Sequence, residues 1–167
     1  MIIQAALDYA ERGWAVFSTH SIRHGQCTCG KASCNASGKH PIHLGGFKNA
    51  STDPAKIAGM FAQSHPVNVA IPTGARSGIF VLDIDVRPDK DGLAAFQALE
   101  AANGELNKSF LVRTGSGGFH IYQTTHGRAV LSSAGKIAPG IDVRGDGGYV
   151  IAPPSMHVSG NIYSWIK

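Results

Sequence analysis

The sequence predicts a mixed α/β (α+β) domain, with helices early and a largely strand-built second half. Apolar residues recur at helical spacing in three short segments, two of which come before residue 62. Beyond residue 104, short apolar runs with period two alternate with glycine-rich turns. Composition agrees. Of 167 residues, 43% are apolar, enough for one core and against wholesale disorder, while 21 glycines and only 16% charged residues point to tight turns.

In chain order, residues 3–12 carry Ile3, Ala6, Leu7 and Ala10 on one helical face, and Gly13 stops the helix. Residues 14–17 (Trp-Ala-Val-Phe) read as a short buried strand, with Trp14 in the core. Residues 19–50 lose all apolar periodicity; His, Cys, Gly, Ser and Lys dominate, and a loop this long is functional or tied down. Thr52 or Asp53 caps the next helix, which Pro54 opens and in which Ile57, Met60 and Phe61 form the stripe. A strand over 67–71 ends in Pro72-Thr73-Gly74, and 79–86 is the strongest strand signal. A third helix covers 92–102, with Leu93, Phe96 and Leu99 inward and Asn103-Gly104 as its stop. Strands follow at 110–113, 119–123, 141–144, 149–152 and 162–165, the last carrying Trp165 inward, and Pro153-Pro154 ends an edge strand. The whole chain, 1–167, reads as one domain without repeats.

Charge and cysteine usage narrow the function classes. Fifteen Lys/Arg against eleven Asp/Glu give a net charge of +4, which suits a polyanionic ligand, although no basic arm is present. No apolar run approaches the ~20 residues that span a bilayer, and the N-terminus lacks a signal-peptide layout, so membrane and secreted readings are set aside. Cys27, Cys29 and Cys34 are an odd, crowded set, which fits a reduced, cytoplasmic protein with a local cysteine site. With His40 they offer three thiolates and an imidazole, a Cys3His set for structural zinc that would anchor residues 19–50 as a zinc-binding insertion. The spacing departs from the usual C-x2-C knuckle; His20, His24 and His43 are rival fourth ligands, and three free thiols are the alternative.

Three strands place polar residues on one face. On 79–86, Asp83 and Asp85 point one way and Leu82, Ile84 and Val86 the other; two residues along a strand is roughly 6.5–7 Å, so both carboxylates can reach common divalent ions. Thr114-Gly115-Ser116-Gly117-Gly118 precedes a strand on which His120 and Tyr122 share a face; such a turn brings N–H groups and the Ser116 hydroxyl to an anion. It is neither a Walker A loop nor a dinucleotide fingerprint. Asp142 and Arg144 share a face of the third strand. Three carboxylates and a histidine on one sheet face look like a two-metal site for an anionic substrate. Tyr122 and Tyr149 suit base stacking or packing equally, and His65, His126 and His157 read as surface or loop histidines.

The order Asp83-Ile84-Asp85, then Ser116-Gly117-Gly118-Phe119-His120-Ile121-Tyr122, then Ile141-Asp142 resembles the three-motif signature of the archaeo-eukaryotic primase superfamily. More narrowly, the chain is similar to the bifunctional DNA primase/polymerase N-terminal (prim-pol) domain of plasmid and phage replication proteins. Gly38-Lys39-His40-Pro41, Ala70-Ile71-Pro72-Thr73-Gly74, Asp142-Val143-Arg144-Gly145 and the run from Gly147-Gly148-Tyr149 to Pro153-Pro154-Ser155 extend the likeness over nearly the whole chain.

The resemblance implies an RRM-like catalytic sheet joined to an N-terminal α/β part, with template and nucleotide between them. It implies that Asp83, Asp85 and Asp142 hold two Mg2+ or Mn2+ ions and that Ser116, Gly117, Gly118 and His120 meet the incoming NTP or dNTP. Arg144, Arg113 and Lys39 would neutralise phosphate charge. Similar sequences carry a Cys-x-Cys…Cys…Gly-Lys-His-Pro stretch, which favours zinc on Cys27, Cys29, Cys34 and His40. A primer 3′-hydroxyl would attack the α-phosphate on single-stranded DNA template, the ions activating the hydroxyl and stabilising pyrophosphate. Related proteins continue into a helical domain and a helicase, so the chain is expected to be the N-terminal part of a replication protein working in the bacterial cytoplasm. Two other readings stay open: a two-metal nuclease or phosphohydrolase, and a non-catalytic, zinc-stabilised single-strand DNA-binding module.

Overall fold

The structure, a computed structural model, describes residues 1–88 and 90–166. Helix α1 (Ile2–Glu11) forms on the expected stripe, burying Ala6 and Tyr9, and the chain leaves it through Gly13 at φ 81°. Strand β1 (Phe17–His20) begins where residues 14–17 were expected to end: Trp14 and Ala15 are buried as anticipated, but the backbone ladder lies three residues later. Residues 19–50 are not wholly irregular. They contain a small hairpin, β2 (Ile22–Arg23) with β3 (Gln26–Cys27), and a 3-10 turn at Gly46–Asn49.

Helix α2 (Pro54–Phe61) is capped by Asp53, whose carboxylate accepts the Ala55 N–H at 2.8 Å; Pro54 opens the first turn, and Ile57 and Phe61 are buried. Strands β4 (Val67–Pro72) and β5 (Ile79–Ile84) follow. A two-residue pair, β6 (Val86–Arg87) and β7 (Lys90–Asp91), leads into α3 (Gly92–Asn103). Asp91 caps α3 through the Ala94 N–H at 3.0 Å, and Gly104 ends it at φ 92°. The rest is strand: β8 (Leu111–Arg113), β9 (Phe119–Thr124), β10 (Ser133–Ala138), β11 (Ile141–Arg144), β12 (Tyr149–Ala152) and β13 (Ser164–Ile166). The last lies two residues later than expected at its start. Strand β10 was not expected, since its exposed Gly135-Lys136-Ile137 stretch buries nothing and so carries no period-two pattern.

Two antiparallel sheets result. A three-stranded sheet has the order β1-β4-β12, and a six-stranded sheet the order β10-β11-β5-β9-β8-β13. Helices α1 and α2 pack on the small sheet, and α3 on one face of the large one. The larger core gathers Ala6, Tyr9, Val16, Ile57, Val69 and Ile71 with Ile79, Val81, Val112 and Tyr122 from the inner face of the large sheet. The smaller core joins Phe96 of α3 to Ile84, Ile121 and Ile141 of the outer face. This agrees with the expected catalytic sheet joined to an N-terminal α/β part, the sheet having six strands. The large sheet's inner face is apolar at one end and polar at the other.

Candidate active site

Register determines which side chains meet. Asp142 of β11 lies directly opposite Asp83 of β5, and Asp83 lies opposite His120 of β9. Directly opposed residues share a face, so Asp142, Asp83 and His120 form a row across three neighbouring strands on the inner face. Arg144, two residues from Asp142, spans the row. Its guanidinium donates to Asp83 Oδ2 at 2.9 Å and 3.2 Å and to Asp142 Oδ2 at 3.1 Å. The second oxygen of Asp142 accepts the Gly135 N–H at 2.9 Å, which gives the unexpected strand β10 a part in the site.

His120 is buried, with Nε2 3.5 Å from Asp83 Oδ1. Its Nδ1 has no hydrogen-bond partner among the described residues, an unmade bond that costs about 1–3 kcal/mol in a protein interior. The Tyr163 ring packs on the His120 imidazole at 5.9 Å between centroids. Burial pushes the Asp83 carboxyl up, but His120 and Arg144 outweigh it and hold the pKa at about 2. Asp83 is therefore an anion at neutral pH, as a cation ligand must be. Tyr163 is pushed the other way, by burial and by the Asp83 charge, and stays neutral.

Asp85 lies one residue past the last ladder residue of β5. Strand β5 ends at Ile84, and the Asp85 N–H donates to the Gly140 carbonyl while its own carbonyl accepts the Gly92 N–H. Its carboxylate is ion-paired with Arg87. Period two places Asp83 on the inner face, and the Asp85–Gly140 bond carries the β5–β11 register one residue further. Arg113 is a clear correction. It opposes Phe119 on β9, and its guanidinium sits 5.0 Å over that ring, so it belongs to the outer face with α3, away from Asp83 and His120. Ser116, Gly117 and Gly118 form the turn between β8 and β9, closed by the Thr114 N–H to the Gly118 carbonyl at 2.9 Å. Ser116 Oγ is 3.0 Å from Thr114 Oγ1. Gly118 is required by packing, since any Cβ would collide with the Ile84 carbonyl oxygen.

Asp83, His120 and Arg144 open into a depression of about 450 Å3 between the two sheets. Lys39 enters it from the cysteine segment, Gly147 to Ile151 line it from β12 and the preceding turn, and Tyr163 and Ser132 complete it. The sequence reading missed Tyr163 and Ser132; Tyr163 falls in the strand expected at 162–165 but lies just ahead of β13 in the structure. His157 lies in a loop, as expected, but is buried against Gly115 and 3.0 Å from Ser159 Oγ. A larger cavity of about 670 Å3 at the apolar end of the sheet, bordered by Trp14, Phe110 and Tyr122, is lined by no carboxylate, histidine or cysteine among the described residues. It has no metal-ligating chemistry.

The cysteine segment folds as the donor set requires. Ligand atoms of Cys27, Cys29, Cys34 and His40 all lie within 4.8 Å of one another. Tetrahedral zinc with bonds near 2.3 Å needs sulfur atoms about 3.8 Å apart, so the four fit a zinc ion after a small contraction. Among the rivals, the His20 ring lies tilted beside His40, 4.5 Å between centroids, but its Nδ1 is 3.0 Å from Thr28 Oγ1, and His43 lies beside Met60 and Gln63. Burial raises the Cys27 thiol pKa, while the backbone N–H of Ala36 lowers that of Cys34.

The sequence matches the family model described as bifunctional DNA primase/polymerase, N-terminal, over residues 6–167. The chain belongs to that family, and so to the primase/polymerase-type nucleotidyltransferases that act on DNA and nucleotides. A comparison with curated proteins finds no match. No helix among the described residues is long and apolar enough to cross a membrane.

Proposed function

We propose that the chain is a template-dependent nucleotidyltransferase that extends, and starts, DNA strands on single-stranded template in plasmid or phage replication. On this reading it is the catalytic domain of a longer protein that includes or recruits a helicase. The observation that carries it is the row Asp142–Asp83–His120, one residue from each of three adjacent strands, of which Asp83 and His120 line a depression together with Arg144 and Lys39.

Asp83 and Asp142, with Asp85 at the mouth of the strand, are the residues that would hold Mg2+ or Mn2+, hard cations that take carboxylate oxygen. Bound there, the cations would supply activation of the 3′-hydroxyl and charge neutralisation on the leaving pyrophosphate. The chain's own residues do the rest. Arg144, shared between two carboxylates, offers N–H donors to phosphate oxygen. His120, oriented by Asp83 and held by Tyr163, presents an imidazole to the triphosphate, and the Ser116 turn supplies hydroxyl and backbone donors. The 3′-oxygen forms a bond to the α-phosphorus as the bond to pyrophosphate breaks; no protein nucleophile takes part.

The test is incorporation of labelled dNTP on single-stranded template, with and without primer, in Mn2+. Lengthening of primer that falls at least about a hundredfold in Asp83→Ala supports the proposal. Shortening of the primer assigns the site to nuclease chemistry instead. Absence of any nucleotide chemistry, unchanged by Asp83→Ala, reduces the chain to a binding module.

A further inference from the structure

The tripeptide Gly38-Lys39-His40 connects the Cys3His cluster to the depression. His40 Nε2 lies 3.5 Å from Cys27 Sγ, and the Gly38 N–H donates to the same sulfur at 3.5 Å. Lys39, between them, lines the depression with Asp83, His120 and Arg144. Its backbone is clamped on both sides. The Lys39 N–H donates to Ala36, and the Lys39 carbonyl accepts the Tyr149 hydroxyl at 3.1 Å. Asn68 Nδ2 donates to the Gly38 carbonyl at 2.9 Å, and the His20 N–H to the His40 carbonyl at 3.0 Å.

The side chain is treated differently. Lys39 is exposed and forms no ion pair among the described residues. An ammonium on a fixed backbone, facing a site with Arg144 already bound to carboxylates, is a point charge set out for an anion. A lysine stem has four rotatable bonds, so the charge is placed only as well as its Cα is. That Cα is one residue from a metal ligand and one from a glycine bonded to another.

We propose that the metal-loaded Cys3His cluster is a positioning device for Lys39, and that Lys39 binds the β- and γ-phosphates of the nucleotide. Metal content of the cluster then sets triphosphate affinity without any metal-to-nucleotide contact. The proposal rests on the depression being the nucleotide site.

Calorimetric titration with dATP and with dAMP, in Mg2+, tests both ideas. Lys39→Ala is expected to lower dATP affinity roughly ten- to a hundredfold, the range for a hydrogen bond to a charged group, and dAMP affinity much less. Lys39→Arg should restore most of the loss. Stripping zinc from the wild type, followed by return to Mg2+ buffer, should lower dATP affinity by a similar factor, yet cause no further loss in Lys39→Ala. Equal zinc-dependent losses in wild type and Lys39→Ala would overturn the proposal, as would no loss in the wild type. Where circular dichroism shows that the stripped protein unfolds, Tyr149→Phe replaces stripping. It removes the bond to the Lys39 carbonyl with zinc retained, and the loss of dATP affinity should again vanish in the Lys39→Ala background; the same loss in both backgrounds overturns the idea. Arg144→Ala separates the two levels. If it weakens dATP while Lys39→Ala does not, the positioning proposal alone fails; if neither matters, the depression is not the nucleotide site and both fail.

Discussion

Asp83 stands between a buried histidine and an arginine, and its carboxyl is drawn to about 2 although burial opposes this. Its folded pKa lies below the ordinary carboxylate value of about 3.9. The stabilisation it contributes is therefore complete above about pH 4 and disappears as pH falls toward 2. Arg144→Met removes the guanidinium, one of the groups that lower the Asp83 pKa, so that pKa should rise. Urea unfolding at stepped pH should show wild type above variant near pH 7, with the gap closing between about pH 4 and pH 2. A gap independent of pH would mean that Arg144 stabilises through packing instead. Single residues of this kind were legible in part. Asp83, His120, Asp142 and Arg144 could be set on one face because each alternates with apolar residues on its strand. Arg113 was misassigned because charge alone does not tell which sheet face a residue occupies; its register with Phe119 does.

At the scale of elements, local chemistry explains where chain segments begin and turn. Asp53→Ala should cost about 1 kcal/mol in unfolding free energy, since the Ala55 N–H loses its acceptor. Gly118→Ala should cost more, on the order of 1–3 kcal/mol, and lower dNTP affinity as well, because the new Cβ forces apart the β8–β9 turn and the end of β5 beside Asp83 and His120. Chemical denaturation and nucleotide titration of the same variant check both parts. The helices, β5, β9, β11 and β12 were readable because stripes, caps and alternation act within a few residues. Strand β10 was not, since it is exposed and paired only through β11. Strand β1 was displaced because Trp14 and Ala15 are as buried as a strand without being in one.

At the scale of the whole molecule, buried side chains join segments that are far apart in the chain. Asn68 donates to the carbonyls of Gly38 and Met156 and accepts from Ser21 Oγ and the Met156 N–H, joining the cysteine segment, β4 and the strand exit after β12. Asn68→Ala leaves several buried groups unpaired and should destabilise by roughly 2–3 kcal/mol. The Cys3His cluster closes the same region. About one zinc per chain is expected by elemental analysis of reduced protein, and its removal should lower the melting temperature; zinc content near zero would dismiss the cluster as a metal site. The sequence by itself determined the helix stripes, the caps, the crowded cysteines with their candidate histidines and the faces of the central strands, because these depend on periods and spacings along a single chain. Only the tertiary structure decided that Asp142 lies against Asp83, that Lys39 reaches the same depression, and that Arg113 does not. Strand order and register are set by burying both faces of the large sheet at once, a condition that involves residues far apart in the chain and leaves no local pattern.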